Sequence, residues 1–174
     1  GDVYKRQLFE DFGSQAGGIF FDYGMTLLPQ KRWEDAKGAF DICVRSDEIA
    51  EQVESPINSQ NLRKNLAKFQ LGFCEAQFGN YEEAIKLYDD YIASNPTTEE
   101  LGQVYASFKL RYGGALMKVG RGPEGIASIQ ELFDNREERR ISPQFLMQGI
   151  LDLGLAWVEM ANQAGADAAE VEKS

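Results

Sequence analysis

The sequence predicts an all-α fold of stacked αα-hairpins, about three and a half copies of them, and three observations carry that reading. Four glycines, Gly24, Gly72, Gly113 and Gly154, recur at spacings of 48, 41 and 41 residues, each with a large apolar residue three positions upstream (Phe21, Phe69, Leu110 and Leu151). Further columns keep the same step: twelve residues on stand the small Ala36, Ala84 and Gly125, and sixteen on stand the large Phe40, Tyr88 and Ile129. No segment reads as a β-strand, whereas helix start signals recur along the chain.

A glycine inside a helix costs about 1 kcal/mol relative to Ala, so four in register imply a compensating gain. Close approach of two helices supplies one. Gly on the first helix is expected to face the small residue twelve on, and the large residue sixteen on to fill the seam to the next hairpin. One hairpin cannot cover both of its apolar faces, so the copies stack.

The elements follow in order. Residues 1–13 are read as a non-native or irregular tail, since Gly1 to Gln7 resemble a translated sequencing adapter. A single domain is expected over 14–163. Its first copy lies at 17–50, with Trp33 nine residues after the glycine, where the second copy has Tyr81. Ser59 is placed to cap a first helix running to about Phe78, and Asn80 opens the second helix of that hairpin. Thr97 with Glu100 forms a capping box for a helix reaching about Val119, and Gly122-Pro123 opens its partner. Ser142-Pro143 puts proline in the first turn of a helix ending near Asn162. Residues 164–174 read as the start of a truncated helix or a tail. First helices of roughly 19 to 22 residues and second helices of 12 to 14 result.

One stretch carries a family resemblance. Leu71, Gly72, Gly79, Tyr81, Ala84, Tyr88 and Pro96 stand where the tetratricopeptide repeat has Leu-Gly, the Gly-x-Tyr turn, Ala, an aromatic and a late Pro. The stretch therefore resembles that family, with departures at Glu75, usually aromatic there, and at Tyr91, usually Ala. The resemblance implies a right-handed, TPR-like αα-hairpin solenoid. The family period is 34 residues; the steps here exceed it by 7 and 14, about two turns each time seven is added, so helices lengthen without turning their buried face.

Composition narrows the chemistry. Lys and Arg total 18 against 28 Asp and Glu, a net charge of −10, with no basic block. Nucleic acid and anionic membrane surfaces are disfavoured partners, and no apolar run is long enough for membrane insertion. The chain holds no His, which takes away the commonest general base and metal ligand. Neither a nucleophile constellation nor a metal set is recognisable, so no catalytic residue, metal or cofactor is expected. Cys43 and Cys74 fit no zinc or redox spacing and read as small buried hydrophobes, with a disulfide as the other option. Gly120-Arg121-Gly122-Pro123-Glu124-Gly125 spells G-x-G-x-x-G, but it follows a helix and Pro123 lacks an amide donor, so it reads as an interhelical loop and not a phosphate site. Adjacent acidic pairs such as Glu82-Glu83 point roughly 100° apart on a helix and form no dyad.

In tetratricopeptide-like solenoids the first helices line the concave surface. The family's ligand-facing positions fall here on Phe21, Met25, Phe69, Phe73, Gln77, Leu110, Met117 and Lys118. Packing between repeats is assigned to Gly24, Ala36, Phe40, Gly72, Tyr81, Ala84, Tyr88, Gly113, Gly125 and Gly154. A mainly apolar row cannot solvate a peptide carboxylate but suits an apolar or amphipathic peptide; the competing reading buries the same row as core. The chain is expected to be a protein- or peptide-binding scaffold, the alternative being a structural or regulatory segment of a larger protein, an enzyme included. The segment from Phe145 to Val158 is apolar on nearly every side, and a helix of that kind needs cover all round. The expectation is either a chain cut before its true end or a docked surface there, self-association through the C-terminal helix included.

Overall fold

The computed structural model describes residues 16–52, 63–94, 96 and 98–171, all helical apart from short connections and with no strand among them. The chain groups into two compact units, Gly1–Pro96 and Thr97–Ser174. In the first, α1 covers residues 16–27 and runs through a 3-10 turn, Leu28–Gln30, to α2, Trp33–Gln52; α3 is Lys64–Gln77 and α4 is Tyr81–Ala93. The second holds α5, Thr98–Lys118, α6, Gly122–Asp134, and α7, Pro143–Val171. Neighbouring helices pack in pairs, α2 with α3, α3 with α4 and α5 with α6, and α7 lies on α5 and α6.

One kind of turn joins α1 to α2, α3 to α4 and α5 to α6. Gly79 and Gly120 both take φ +81, where glycine escapes the Cβ penalty. Asn80 N–H then donates to the Glu75 carbonyl and Arg121 N–H to the Leu116 carbonyl, closing the last helical turn. In the first pair the same place is held by Lys31 at φ 58, with Arg32 N–H donating to the Leu27 carbonyl. All three lie seven residues after their glycine, and the second helices open nine after it, at Trp33, Tyr81 and Gly122.

Three of the four packing glycines behave as the columns require. A Cβ on Gly24 would stand 2.6 Å from the Phe40 ring, one on Gly72 2.6 Å from the Tyr88 ring, and one on Gly113 2.8 Å from Ile129. The large residue sixteen on therefore rests on the glycine of its own hairpin and also reaches the next first helix: Phe40 shares a core cluster with Ala67, Leu71 and Cys74 of α3, and a Cβ on Gly149 of α7 would stand 3.3 Å from Ile129. Residues twelve and sixteen on are one turn apart and share a face, and the antiparallel crossing brings the second opposite the glycine. The small residues stay in the interior: Ala36 and Ala84 are fully buried, and Gly125 meets the Gly113 backbone. Gly154 departs, because it is exposed and a Cβ there meets nothing within 4 Å. Among the described residues no second helix folds back on it, since α7 continues unbroken past Asn162 to Val171.

Second-helix lengths of 13 residues in α4 and α6 match expectation, as does α5 with 21. By contrast, α3 has 14 and opens at Lys64 after the non-helical Arg63, so the expected longer first helix capped by Ser59 does not form there. α2 has 20 residues, so the longer first step places a further seven residues, about two turns, in that helix. Ser59, Asn95 and Thr97 lie outside the described residues.

The core of the first unit gathers Phe21, Leu27, Ala36, Phe40, Cys43, Ala67, Leu71 and Cys74. Both cysteines are buried thiols, the small hydrophobes of the sequence reading. Burial pushes the Cys43 thiol up to about 12, with the Asp47 carboxylate adding to the effect, which holds it in the unreactive form. Asp47, on α2, is itself almost fully buried and accepts a 2.6 Å hydrogen bond from Arg63 N–H at the start of α3, with Lys64 N–H also contributing. Burial raises the Asp47 carboxyl above its usual range against the pull of those two amides. The N-cap residue Arg63 has no side-chain cap of its own, so the cap comes from a neighbouring helix. Gly17 makes room for it, since a Cβ there would stand 2.0 Å from Asp47 Oδ1. In the second unit Tyr105, Leu110, Ile129 and Leu132 form the core, joined by Leu101, Phe133, Leu146 and Leu153 among others.

Candidate functional site

The residues expected to face a ligand do not form one surface. Phe21, Phe69 and Leu110 are buried, and this corrects their assignment to an open groove. The residue three before a glycine sits one turn away on the same helix face, and that face is turned to the second helix of the hairpin. Phe21 packs 5.8 Å from the Phe40 ring, and the Arg63 guanidinium carbon lies over the Phe21 ring, 5.2 Å from its centroid. Phe69 lies 5.7 Å from Tyr88 and 5.5 Å from Tyr91. Phe73 is half-buried, edge-on to Trp33 at 5.6 Å. Met25 and Gln77 are exposed, as is Lys118, which pairs at 3.6 Å with Glu159 on α7. Met117 is half-buried under Gly125. Tyr81, assigned to packing, is half-buried at the head of α4.

Glu75, where the resembled family carries an aromatic, ties three helices. Its carboxylate accepts from Lys37 Nζ on α2 at 2.7 Å and from Asn80 Nδ2, just ahead of α4, at 2.8 Å. Burial works to raise the Glu75 carboxyl, but the Lys37 and Asn80 hydrogen bonds outweigh it and hold it below the ordinary glutamate value; Lys37 is correspondingly raised by its bond to Glu75. A carboxylate lowered in the folded state adds stability above its unfolded pKa, and that stability is lost as pH falls through the folded value. Glu75→Gln is therefore expected to cost about 1–3 kcal/mol at pH 7, where it leaves Lys37 without its counter-charge. The gap between wild type and variant should close as the pH drops below the Glu75 value. Urea unfolding of both proteins from pH 7 to pH 3 checks this; a gap that stays constant contradicts the tie.

The second unit offers a concave site that the sequence reading did not assemble. Met117, Gly120, Gly122, Pro123, Ala156, Glu159 and Met160 line a cavity of about 230 Å³. The α5–α6 turn supplies one wall and α7 the other, and Met160 Sδ comes 3.7 Å from where a Gly122 Cβ would be. The glycines of the G-x-G-x-x-G run have separate structural duties: Gly120 makes the left-handed turn, Gly122 opens α6 beside the cavity, and Gly125 lets α6 meet α5. The signal within reach of the sequence was Met117 next to that run; Ala156 and Met160 needed the placement of α7.

Searches against protein-family models, curated proteins and solved structures find no match to this chain. Among the described residues no three His, Cys, Asp or Glu gather where they could hold a metal ion, and no helix is long and apolar enough to cross a membrane.

Proposed function

We propose that the chain is a non-catalytic protein- or peptide-binding module, a TPR-like helical-repeat scaffold that takes an apolar or amphipathic peptide. The cavity beside the α5–α6 turn is the observation that carries this reading. It is lined by two methionines, three small or cyclic residues and an alanine, with one carboxylate, Glu159, at its edge. At about 230 Å³ it falls below the size of a typical small-molecule pocket and is suited to one apolar side chain. Methionines adapt to varied shapes, which favours peptide ligands over a fixed cofactor. The turn and glycine register shared by three helix pairs support the TPR-like assignment, and the excess of negative charge keeps nucleic acid out of the set of ligands.

Panning a random dodecapeptide display library on the immobilised chain tests the reading. Sequences with a large apolar anchor should be enriched, and Met160→Lys, which puts a charge at the cavity while the circular dichroism stays helical, should abolish their capture. No enrichment, or capture equal in the variant, refutes it.

A further inference from the structure

The face of α7 turned away from α5 and α6 is apolar. Met147, Ile150, Leu151, Leu155, Trp157 and Val158 are 58–64% exposed, whereas Leu146, Gly149, Leu153 and Ala156 pack inward from the opposite side. Asp152 is the one charged residue between Met147 and Val158, and helical spacing sets it off the exposed face. Six such side chains present about 600 Å² of apolar surface, the upper end of the largest patch a monomer usually shows. A standard interface takes about 800 Å² from each partner, so this face supplies most of one.

The α5–α6 crossing shows what fits such a face. On α5, Gly113 is followed four residues later by Met117; on α6, Gly125 is followed four later by Ile129. A Cβ on Gly113 would stand 2.8 Å from both Ile129 and the Gly125 carbonyl, and one on Gly125 would stand 2.6 Å from Met117 Cγ and 2.5 Å from the Gly113 carbonyl. Each helix thus sets a small residue against the other's large one. A pattern of a small residue and a large one four later is its own complement when two helices cross antiparallel. α7 carries that pattern on its bare face: Leu151, Gly154 and Val158 lie 41 residues after Leu110, Gly113 and Met117, and the space over Gly154 is empty to 4 Å.

We propose that a second copy of this chain covers the face, the two α7 helices crossing antiparallel so that each Gly154 lies against Val158 of the other copy. Such a contact is self-complementary and closes at two copies.

Sedimentation of the 174-residue chain from about 1 to about 100 µM, beside Gly154→Leu and Leu151→Lys, tests this. The native chain should form dimers and nothing larger. Gly154→Leu fills space that is open in a single copy and replaces a poor helix former, so at concentrations below the native dissociation constant its melting temperature should hold or rise, while the dimer dissociation constant rises at least about tenfold. Leu151→Lys should likewise be monomeric and helical. A native chain that stays monomeric, growth beyond two copies, or a dimer that survives either substitution overturns the proposal.

Discussion

Phe69→Ala is expected to remove about 3–5 kcal/mol of stability, enough to unfold a large fraction of a domain of ordinary stability. The side chain is fully buried between Tyr88 and Tyr91 on α4, with both ring centroids within 5.7 Å. Removing it deletes the transfer energy of a whole ring and leaves a hole that two further rings line. Phe73→Ala should cost much less, because Phe73 is half-buried and meets Trp33 edge-on. Urea midpoints of the two variants separate the roles. If Phe69→Ala loses less than about 1 kcal/mol, the residue is not the core member that its burial implies.

Gly125→Ala reverses the usual effect of removing a glycine from a helix. Propensity alone would give about 1 kcal/mol in favour of Ala. Here the new methyl would stand 2.5 Å from the Gly113 carbonyl oxygen and 2.6 Å from Met117, and backbone cannot step aside as a flexible side chain can. α5 and α6 must separate, and overpacking of that kind costs about 1–3 kcal/mol on top of the lost contacts. A net loss of about 2 kcal/mol is expected. Gly38→Ala on α2 is the control, since it is exposed and a Cβ there meets nothing within 4 Å; it should gain about 0.5–1 kcal/mol. Thermal melts of both read the opposite signs directly, and two shifts of the same sign would remove the close crossing.

The helix pairs were legible in the sequence because a glycine with fixed partners at twelve and sixteen residues records a crossing of two backbones. Position in a repeat does not by itself say which neighbour a side chain meets. Phe40, Tyr88 and Ile129 read from the sequence as seam residues, and they lie on Gly24, Gly72 and Gly113 of their own hairpins, with Phe40 and Ile129 also meeting the next first helix. The same face logic, carried one turn back, decides between the two readings of Phe21, Phe69 and Leu110 in favour of core. Glu75 was visible as a departure from the family pattern, yet its purpose depended on Lys37, far away in sequence and on another helix. The cavity could not be seen at all, because its far wall comes from Ala156, Glu159 and Met160. The apolar girth of α7 was plain in its composition, and the structure divides it into a packed side and a bare one.

The Asp47 cap bears on how the first unit comes together. The amide at the start of α3 is held by a carboxylate sixteen residues earlier, on α2, and Gly17 on α1 is shaped to that carboxylate. The hairpin that the repeat defines, α3 with α4, therefore does not contain everything its first helix needs. The smallest piece that closes the cap joins α2 to α3, one helix out of step with the repeat. Cooperativity then spans the boundary between hairpins, and a cut placed at that boundary would separate a helix from its own N-terminal anchor.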